Sequence, residues 1–380
     1  MDGGPEAGRH GTAQGAERAA DGPRYAACVQ VGFGTAARVH RQALRRLGVR
    51  VAGAIDVTRN ARTLMAAEGV RNCADYAEAA ALGPVVWDVC TPTHAHVGAF
   101  ARISALDPYA DVIIEKPLCD HVDIPAMRAL LRRHRGRVVV NENYCSSVLT
   151  GQVAGHVRLA GVTPSVVTVE MSKNRIAHYA AGRFTDARLG AFGYEGTHLV
   201  AVAELLGARF LTGELLRAGT RAVTVPSQRG DAAAWRHQGT AFAEYRTADG
   251  CRVRLHTAMD GGIGHPYPPF ARPGQRIEDA ETRYRVVAVE GRDRDGVAHT
   301  VTGFFEPLPG HARARASLVV RAGGSTVVDR LVVDDTAHRH LGAALAHFAG
   351  HGPNPCPPER AIAHLERVHH WARHAIAARP

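Results

Sequence analysis

The stretch Cys28-Val29-Gln30-Val31-Gly32-Phe33-Gly34-Thr35-Ala36-Ala37 decides the fold. A short apolar run passes directly into Gly-x-Gly-x-x-Ala. That order suits a strand, a tight turn that lets the backbone approach a pyrophosphate, and a helix whose N-terminus faces it. Glycine alone allows both the turn and the close approach. Residues 51–56, Val-Ala-Gly-Ala-Ile-Asp, read as a second strand ending in an acid. Asp56 follows the glycines by about 20 residues, the place for a carboxylate that grips the adenosine ribose hydroxyls. Val57 and Thr58 after it favour NAD, and Arg59 is near enough to keep NADP open.

From residue 25 to about 144, strands and helices alternate. Apolar runs at 27–31, 49–55, 85–90, 112–114 and 138–140 are separated by helical patterns at 36–47, 59–68, 76–82, 97–106 and 124–134. Continuous apolar strands between amphipathic helices predict a parallel sheet covered on both faces, doubly wound by right-handed crossovers. After Tyr144 the pattern changes. Strand runs at 166–171, 241–245, 253–256, 284–289, 298–301, 316–320 and 326–333 carry Asp-Gly and Gly-Gly turns, the sign of hairpins and an antiparallel sheet. Helices are expected at 189–206, 339–348 and 359–378, and the Gly- and Pro-rich 259–277 as a long loop over a site. The division predicted is a disordered tail over 1–24, a dinucleotide-binding domain over 25–145 and a substrate-binding and oligomerisation domain over 146–380.

The bulk numbers exclude several classes. The chain has 380 residues and no apolar run long enough to cross a bilayer. Its first residues lack the apolar core of a signal peptide. Seven cysteines are scattered without Cys-x-x-Cys spacing, which predicts reduced thiols in the cytoplasm. The net charge of +10 is spread along the chain. Its densest run, residues 132–137, lies at a helix C-terminus, where cations complement the dipole, and no aromatic residues interleave with it. Nucleic acid is therefore not the expected partner. The histidines show no metal spacing and no His-Glu-x-x-His, so no metal is expected.

Three further pieces carry chemistry. Asp88-Val89-Cys90-Thr91-Pro92-Thr93-His94-Ala95-His96 is a buried strand ending in Thr-Pro, placed to meet a cofactor beyond the carboxyl end of the sheet. Val112-Ile113-Ile114-Glu115-Lys116-Pro117 sets a charged pair at the same edge, with Pro117 restricting the backbone of Lys116. Gly193-Tyr194-Glu195-Gly196-Thr197-His198 opens a helix, on which Tyr194 and Glu195 stand four and three residues before His198. A carboxylate beside a histidine raises its basicity and fixes its tautomer.

Strand plus Gly-x-Gly-x-x-Ala, then Thr-Pro-x-x-x-His, Glu-Lys-Pro and Gly-x-His, in that order, resembles the glucose–fructose oxidoreductase / inositol dehydrogenase / MocA (Gfo/Idh/MocA) family over residues 25–350. The resemblance implies an α/β protein: an N-terminal Rossmann domain with a doubly wound parallel sheet, and a C-terminal α/β domain with a large, mainly antiparallel sheet. It implies a homo-oligomer, a dimer or tetramer, with substrate between the domains. By position, Gly32, Phe33, Gly34 and Ala37 would meet the pyrophosphate, and Asp56 the ribose. Thr91, Pro92 and His96 would line the nicotinamide side, with Glu115 and Lys116 beside it. Lys116 and His198 would be the acid/base groups, and which of them is the base stays open. Where many relatives carry Asp, this chain has Tyr194, so Glu195 is expected as the third catalytic group.

The implied activity is NAD-dependent oxidation, or reversible reduction, of a secondary hydroxyl on a sugar, cyclitol or aminocyclitol/aminoglycoside, in the style of bacterial secondary metabolism. Asn143, Tyr144, Arg175 and Tyr194 are expected at the substrate, with Asn141, Lys173, Asn174 and Arg183 near it. Glu142 and Glu195 are expected to hold an amino group. Two alternatives stand beside this one: a non-catalytic nicotinamide-binding regulator, and a redox-neutral enzyme (epimerase, eliminase or glycosidase) that retains its NAD.

Overall fold

A computed structural model describes residues 25–83, 85–180, 189–225, 235–305 and 314–377. The tail expected over 1–24 and Arg183 lie outside the described residues. The first half runs β1 (Ala27–Val31), α1 (Thr35–Arg46), β2 (Arg50–Ile55), α2 (Arg59–Ala67), β3 (Arg71–Asn72), α3 (Tyr76–Ala80), β4 (Val86–Val89), α4 (His96–Leu106), β5 (Val112–Glu115), α5 (Ile124–Arg133) and β6 (Val138–Asn141). All six strands are parallel, in the order β3-β2-β1-β4-β5-β6. Strands β1, β4 and β6 are buried along their whole length, which is why their sequences are apolar without alternation. Thr58 and Asp75 cap α2 and α3 through their side-chain oxygens. Arg132 and Arg133 fall in the last turn of α5, so the densest basic run is a helix terminus.

The second half runs α6 (Val148–Leu159), β7 (Thr163–Lys173), α7 (Arg175–Ala180), α8 (Gly190–Leu206), β8 (Glu214–Val225), β9 (Trp235–Arg246), β10 (Arg252–Ala258), β11 (Arg283–Arg292), β12 (Ala298–Phe304), β13 (Arg315–Ala322), β14 (Ser325–Val333), α9 (Thr336–Phe348) and α10 (Pro358–Ala377). Its eight strands form one sheet in the order β14-β13-β12-β11-β7-β10-β9-β8. Only the central β7–β10 pair is parallel. The molecule is thus α/β, with a six-stranded parallel sheet followed by an eight-stranded, mainly antiparallel one. Helices α6 and α7 and strands β3 and β8 were not expected from the sequence.

Helix α8 is apolar nearly all round and lies in the core of the second half, with Leu199, Val200 and Val202 fully buried. Gly196 lets α10 come close, since a Cβ there would meet Val368 at 2.8 Å. The last two helices join the halves. Leu341, Ala344 and Phe348 of α9 pack with Leu44, Ile113 and Val139 of the first half. In α10, Ile362 and Leu365 belong to the core of the first half, and Trp371 and Ala375 to that of the second. The segment between β10 and β11 covers one sheet face through Phe270 and Ile277, packed with Tyr284, Val286 and Phe304. It is pinned where Glu170 accepts the N–H groups of Gly264 (2.9 Å) and His265 (2.7 Å).

Candidate active site

The turn after β1 is built for a close approach. Gly32 has φ +89°, and a Cβ there would come within 2.9 Å of the backbone of Cys90 and Thr91. Gly34 has nothing within 4 Å of its Cβ position, so the turn is open on its outer side. Gly34 caps α1 without a side-chain hydrogen bond, and the first turn of α1 holds no acid. Its N–H groups are left to an anion. Phe33 and Ala37 are buried beneath the turn. Asp56 ties the turn to β2. Its carboxylate accepts the N–H groups of Phe33 and Thr58, both at 2.8 Å, and the Thr58 hydroxyl. A carboxylate has about four acceptor positions, so one remains for a ribose hydroxyl. The buried Thr91 hydroxyl, across the turn, has no hydrogen-bond partner among the described residues. An uncapped helix start, an open glycine turn and an orphaned hydroxyl fit a dinucleotide.

His96 does not offer its ring edge to the cleft as expected. It is buried, with Nδ1 at 3.0 Å from the Pro117 carbonyl and Nε2 at 2.8 Å from the Thr91 carbonyl. Burial lowers its pKa. The ring braces the Thr91-Pro92 turn against the Glu-Lys-Pro turn. Pro92 stays exposed at that turn.

Register places the next groups. Glu115 and Asn141 are partners at the ends of β5 and β6, so Lys116 and Glu142 each lie one residue beyond at the same sheet edge. Glu115 faces α1, where its carboxylate meets His40 Nε2 at 2.8 Å and the Asn141 amide at 2.7 Å. Its second oxygen accepts the Lys116 N–H at 3.0 Å. Burial works to raise the pKa of Glu115, but His40 outweighs it and brings it down to about 2. His40 itself is raised, because Asp88 at 2.9 Å overcomes the desolvation. His40, Asp88 and Cys90 are also the one group of metal-capable side chains that converges among the described residues. Hydrogen bonds already join His40 to Asp88 and Glu115, and Asp88 to Gln30.

Lys116 Nζ reaches 2.5 Å from the Tyr194 carbonyl, one turn before His198 on α8. His198 Nδ1 is hydrogen-bonded to Glu142, both side chains being buried. An ionised carboxylate only accepts, so the imidazole carries its proton on Nδ1 and keeps a lone pair on Nε2. Burial, aided by Lys116, lowers the His198 pKa against the pull of Glu142, which favours the neutral ring. Burial opposes ionisation of Glu142, but His198 and Lys116 bring it to about 2.

Glu195 is not the partner of the imidazole that the sequence suggested. Its Oε2 lies 3.8 Å from His198 Nε2. Three cations claim the carboxylate: Lys173 at 2.7 Å, Arg175 at 2.8 Å and Arg285 at 3.2 Å. Together they overcome burial and hold its pKa well below the usual range. Glu195 is taken by these cations, whereas Glu142 gives only Oε1 to His198 and its buried Oε2 has no hydrogen-bond partner among the described residues.

The expected substrate residues divide. Tyr144 is buried, its ring edge-on to His198 at 4.6 Å and its hydroxyl accepting from Arg285 at 2.7 Å. The Arg175 guanidinium lies 3.8 Å over the Tyr194 ring. Asn143 turns away: its amide donates to Thr336 of α9 at 2.7 Å. Asn141 belongs to the His40 cluster, and Asn174 braces the covering segment through the Ile277 and Glu278 carbonyls. A cavity of about 320 Å³ opens beside Arg285, walled by Ile277, Tyr284, Phe304 and Phe305. Arg285, His40 and the Glu142–His198 bond had no signal in sequence spacing.

Residues 26–142 match the oxidoreductase family with NAD-binding Rossmann fold, GFO_IDH_MocA. No curated protein matches the chain. Among solved structures, the chain is similar to UDP-N-acetylglucosamine 3-dehydrogenase GnnA from Acidithiobacillus ferrooxidans. The identity is 16%, the TM-score 0.62, and 92% of this chain and 98% of that one are covered. It is similar to GenD2 from gentamicin A biosynthesis, in complex with NAD, at 17% identity and TM-score 0.64 over 95% and 97% of the two chains. For the WlbA dehydrogenase from Bordetella pertussis, in complex with NADH and UDP-GlcNAcA, the values are 16%, 0.63, 93% and 97%. At these identities the likeness is one of fold, and it extends through both halves.

Proposed function

From the match of residues 26–142 to the Gfo/Idh/MocA oxidoreductase family with its NAD-binding Rossmann fold, we propose that the chain reversibly oxidises a secondary hydroxyl of a sugar or cyclitol. The observation that carries this reading is the meeting of Lys116 and the Glu142–His198 pair at the first turns of α8. When bound, the nicotinamide accepts or returns hydride. Gly32, Gly34 and the uncapped N–H groups at the start of α1 would hold the pyrophosphate, and Asp56 the ribose; the Phe33 N–H is already given to Asp56. The Asp56-Val57-Thr58 order makes NAD the preferred cofactor, with NADP to be compared.

His198 Nε2 takes the hydroxyl proton, and Glu142 stabilises the imidazolium that results. Of the two candidates for the base, His198 is the one proposed. Lys116 orients the same oxygen and neutralises its developing charge. Arg175, Tyr194 and the cavity beside Arg285 position the rest of the substrate. GnnA, GenD2 and WlbA carry names from nucleotide-sugar and aminoglycoside chemistry, and both classes belong in the substrate panel.

The test is to mix the purified chain with NAD or NADP and a panel of polyols, nucleotide sugars and aminoglycosides, and follow nicotinamide absorbance. Turnover with one class supports the reading. A chain that binds NAD tightly, yet reduces none of it with any member, overturns it. We place the enzyme in the reducing cytoplasm on its seven free cysteines. We also read it as a homo-oligomer, on the exposed Val327, Leu331 and Val333 of β14. A mass of 40.6 kDa by light scattering would count against the latter.

A further inference from the structure

The chain has 46 basic side chains, and 44 of them are arginine. The two lysines are Lys116 and Lys173. They lie on different sheets, 57 positions apart, and end on adjacent residues of α8. Lys116 Nζ meets the Tyr194 carbonyl at 2.5 Å, and Lys173 Nζ meets the Glu195 carboxylate at 2.7 Å. Lys173 is the last residue of β7 and is 5% exposed. Its partner across the ladder is Arg283, two residues before Arg285 on the same face of β11.

We infer that Lys173 is a second functional lysine: a positioning residue that acts on His198 through Glu195, in a role arginine cannot fill. This rests on the reading of His198 as the base. The same carboxylate is already held by Arg175 and Arg285, so a plain ion pair at this place is made with arginine twice over. An ammonium differs from a guanidinium in two ways. It is a compact point charge, and it releases its proton under desolvation, which arginine does not. The groups facing Lys173 among the described residues are Arg175 of α7, Arg283 and Arg285 of β11, and Glu195 of α8. Burial first, and then the three arginines, lower its pKa well below the usual lysine value against the pull of Glu195.

The consequence falls on His198. While Lys173 is protonated, Glu195 is neutralised, and Nε2 at 3.8 Å faces little negative charge. When Lys173 loses its proton, Glu195 presents more of its charge to Nε2, and the imidazole becomes more basic. Lys173 thus sets the basicity of the group that takes the substrate proton, without touching that proton itself.

The test is Lys173→Arg and Lys173→Met, each compared with wild type for NAD affinity by calorimetry, kcat, KM and the pH dependence of kcat. Lys173→Arg is expected to bind NAD within about threefold of wild type and to lose at least about tenfold in kcat. Any step of the wild-type pH profile that follows loss of the Lys173 proton should be absent from it. In Lys173→Met, whose side chain is of similar length and uncharged, the acid limb set by His198 should move to higher pH. Wild-type kcat and an unmoved profile in Lys173→Arg overturn the inference. If that variant does not fold, an unmoved acid limb in Lys173→Met does so instead. His198→Ala, run in parallel, separates the two claims. If it is active, the reading of the site fails; if it is inactive while both Lys173 variants behave as wild type, only the role of Lys173 fails.

Discussion

At the scale of single residues, the site turns on which carboxylate meets which cation. In the sequence Glu195, three residues before His198, was the expected partner of the imidazole, and Glu142, 56 positions away, was expected only to help hold an amino group. In the structure, Glu142 holds Nδ1 of His198, while Glu195 is bound by Lys173, Arg175 and Arg285. The difference comes from the register of β6 with its neighbours and from the packing of α8. Neither is written in the spacing between 142 and 198. The lysine count, by contrast, is plain in the sequence and marks both functional lysines. Glu142→Gln should lower kcat by about 10- to 100-fold with little change in NAD affinity, since the imidazolium loses its counter-charge. In the mechanism proposed, oxidation requires neutral His198. Turnover should rise with pH along a limb centred below the ordinary histidine value of about 6.5, and the Gln variant should shift that limb lower still. An unchanged limb in Glu142→Gln would show that the pair does not set the basicity of the ring. The stability counterpart has a defined sign. The Glu142 carboxylate is depressed to about 2, so its contribution is present above the unfolded value near 4.5 and is lost as pH falls through about 2.

At the scale of elements, alternation was enough to read the first sheet, because buried parallel strands and amphipathic helices have distinct periods. Strands β1, β2, β4, β5 and β6 lie where the apolar runs placed them, to within a residue or two. The second half was less legible. Helix α6 contains Gly151, Gly155 and several β-branched residues, and is held by packing of Leu149 and Val153 instead of by propensity. Strand β8 carries Gly219 with a Cβ position 2.5 Å from the Phe242 ring, so cross-strand packing and not residue preference makes it a strand. At Gly32 the element-level demand is strict: positive φ and backbone within 2.9 Å. Gly32→Ala should destabilise the protein by roughly 1–3 kcal/mol and weaken NAD binding at least about tenfold. Thermal unfolding and calorimetry read the two effects. Wild-type values for both would mean that the turn does not approach a ligand closely.

At the scale of the whole molecule, the site exists because α9 and α10 bind the two sheets into one body. Lys116 comes from the edge of the parallel sheet, Lys173 and Arg285 from the antiparallel one, and Glu195 and His198 from the helix between them. The sequence placed Lys116 and His198 in different halves, and the spacing between them does not show that they meet. Their meeting at α8 is a property of the tertiary fold. The account therefore stands or falls on whether this junction performs the chemistry while the glycine turn binds the cofactor. The most direct measurement is NAD binding by calorimetry beside turnover, on a substrate from the panel, for Lys116→Ala and His198→Ala. Affinity for NAD within a few fold of wild type, with turnover reduced at least about a thousandfold in both variants, is the predicted result. Normal turnover in either one would contradict it.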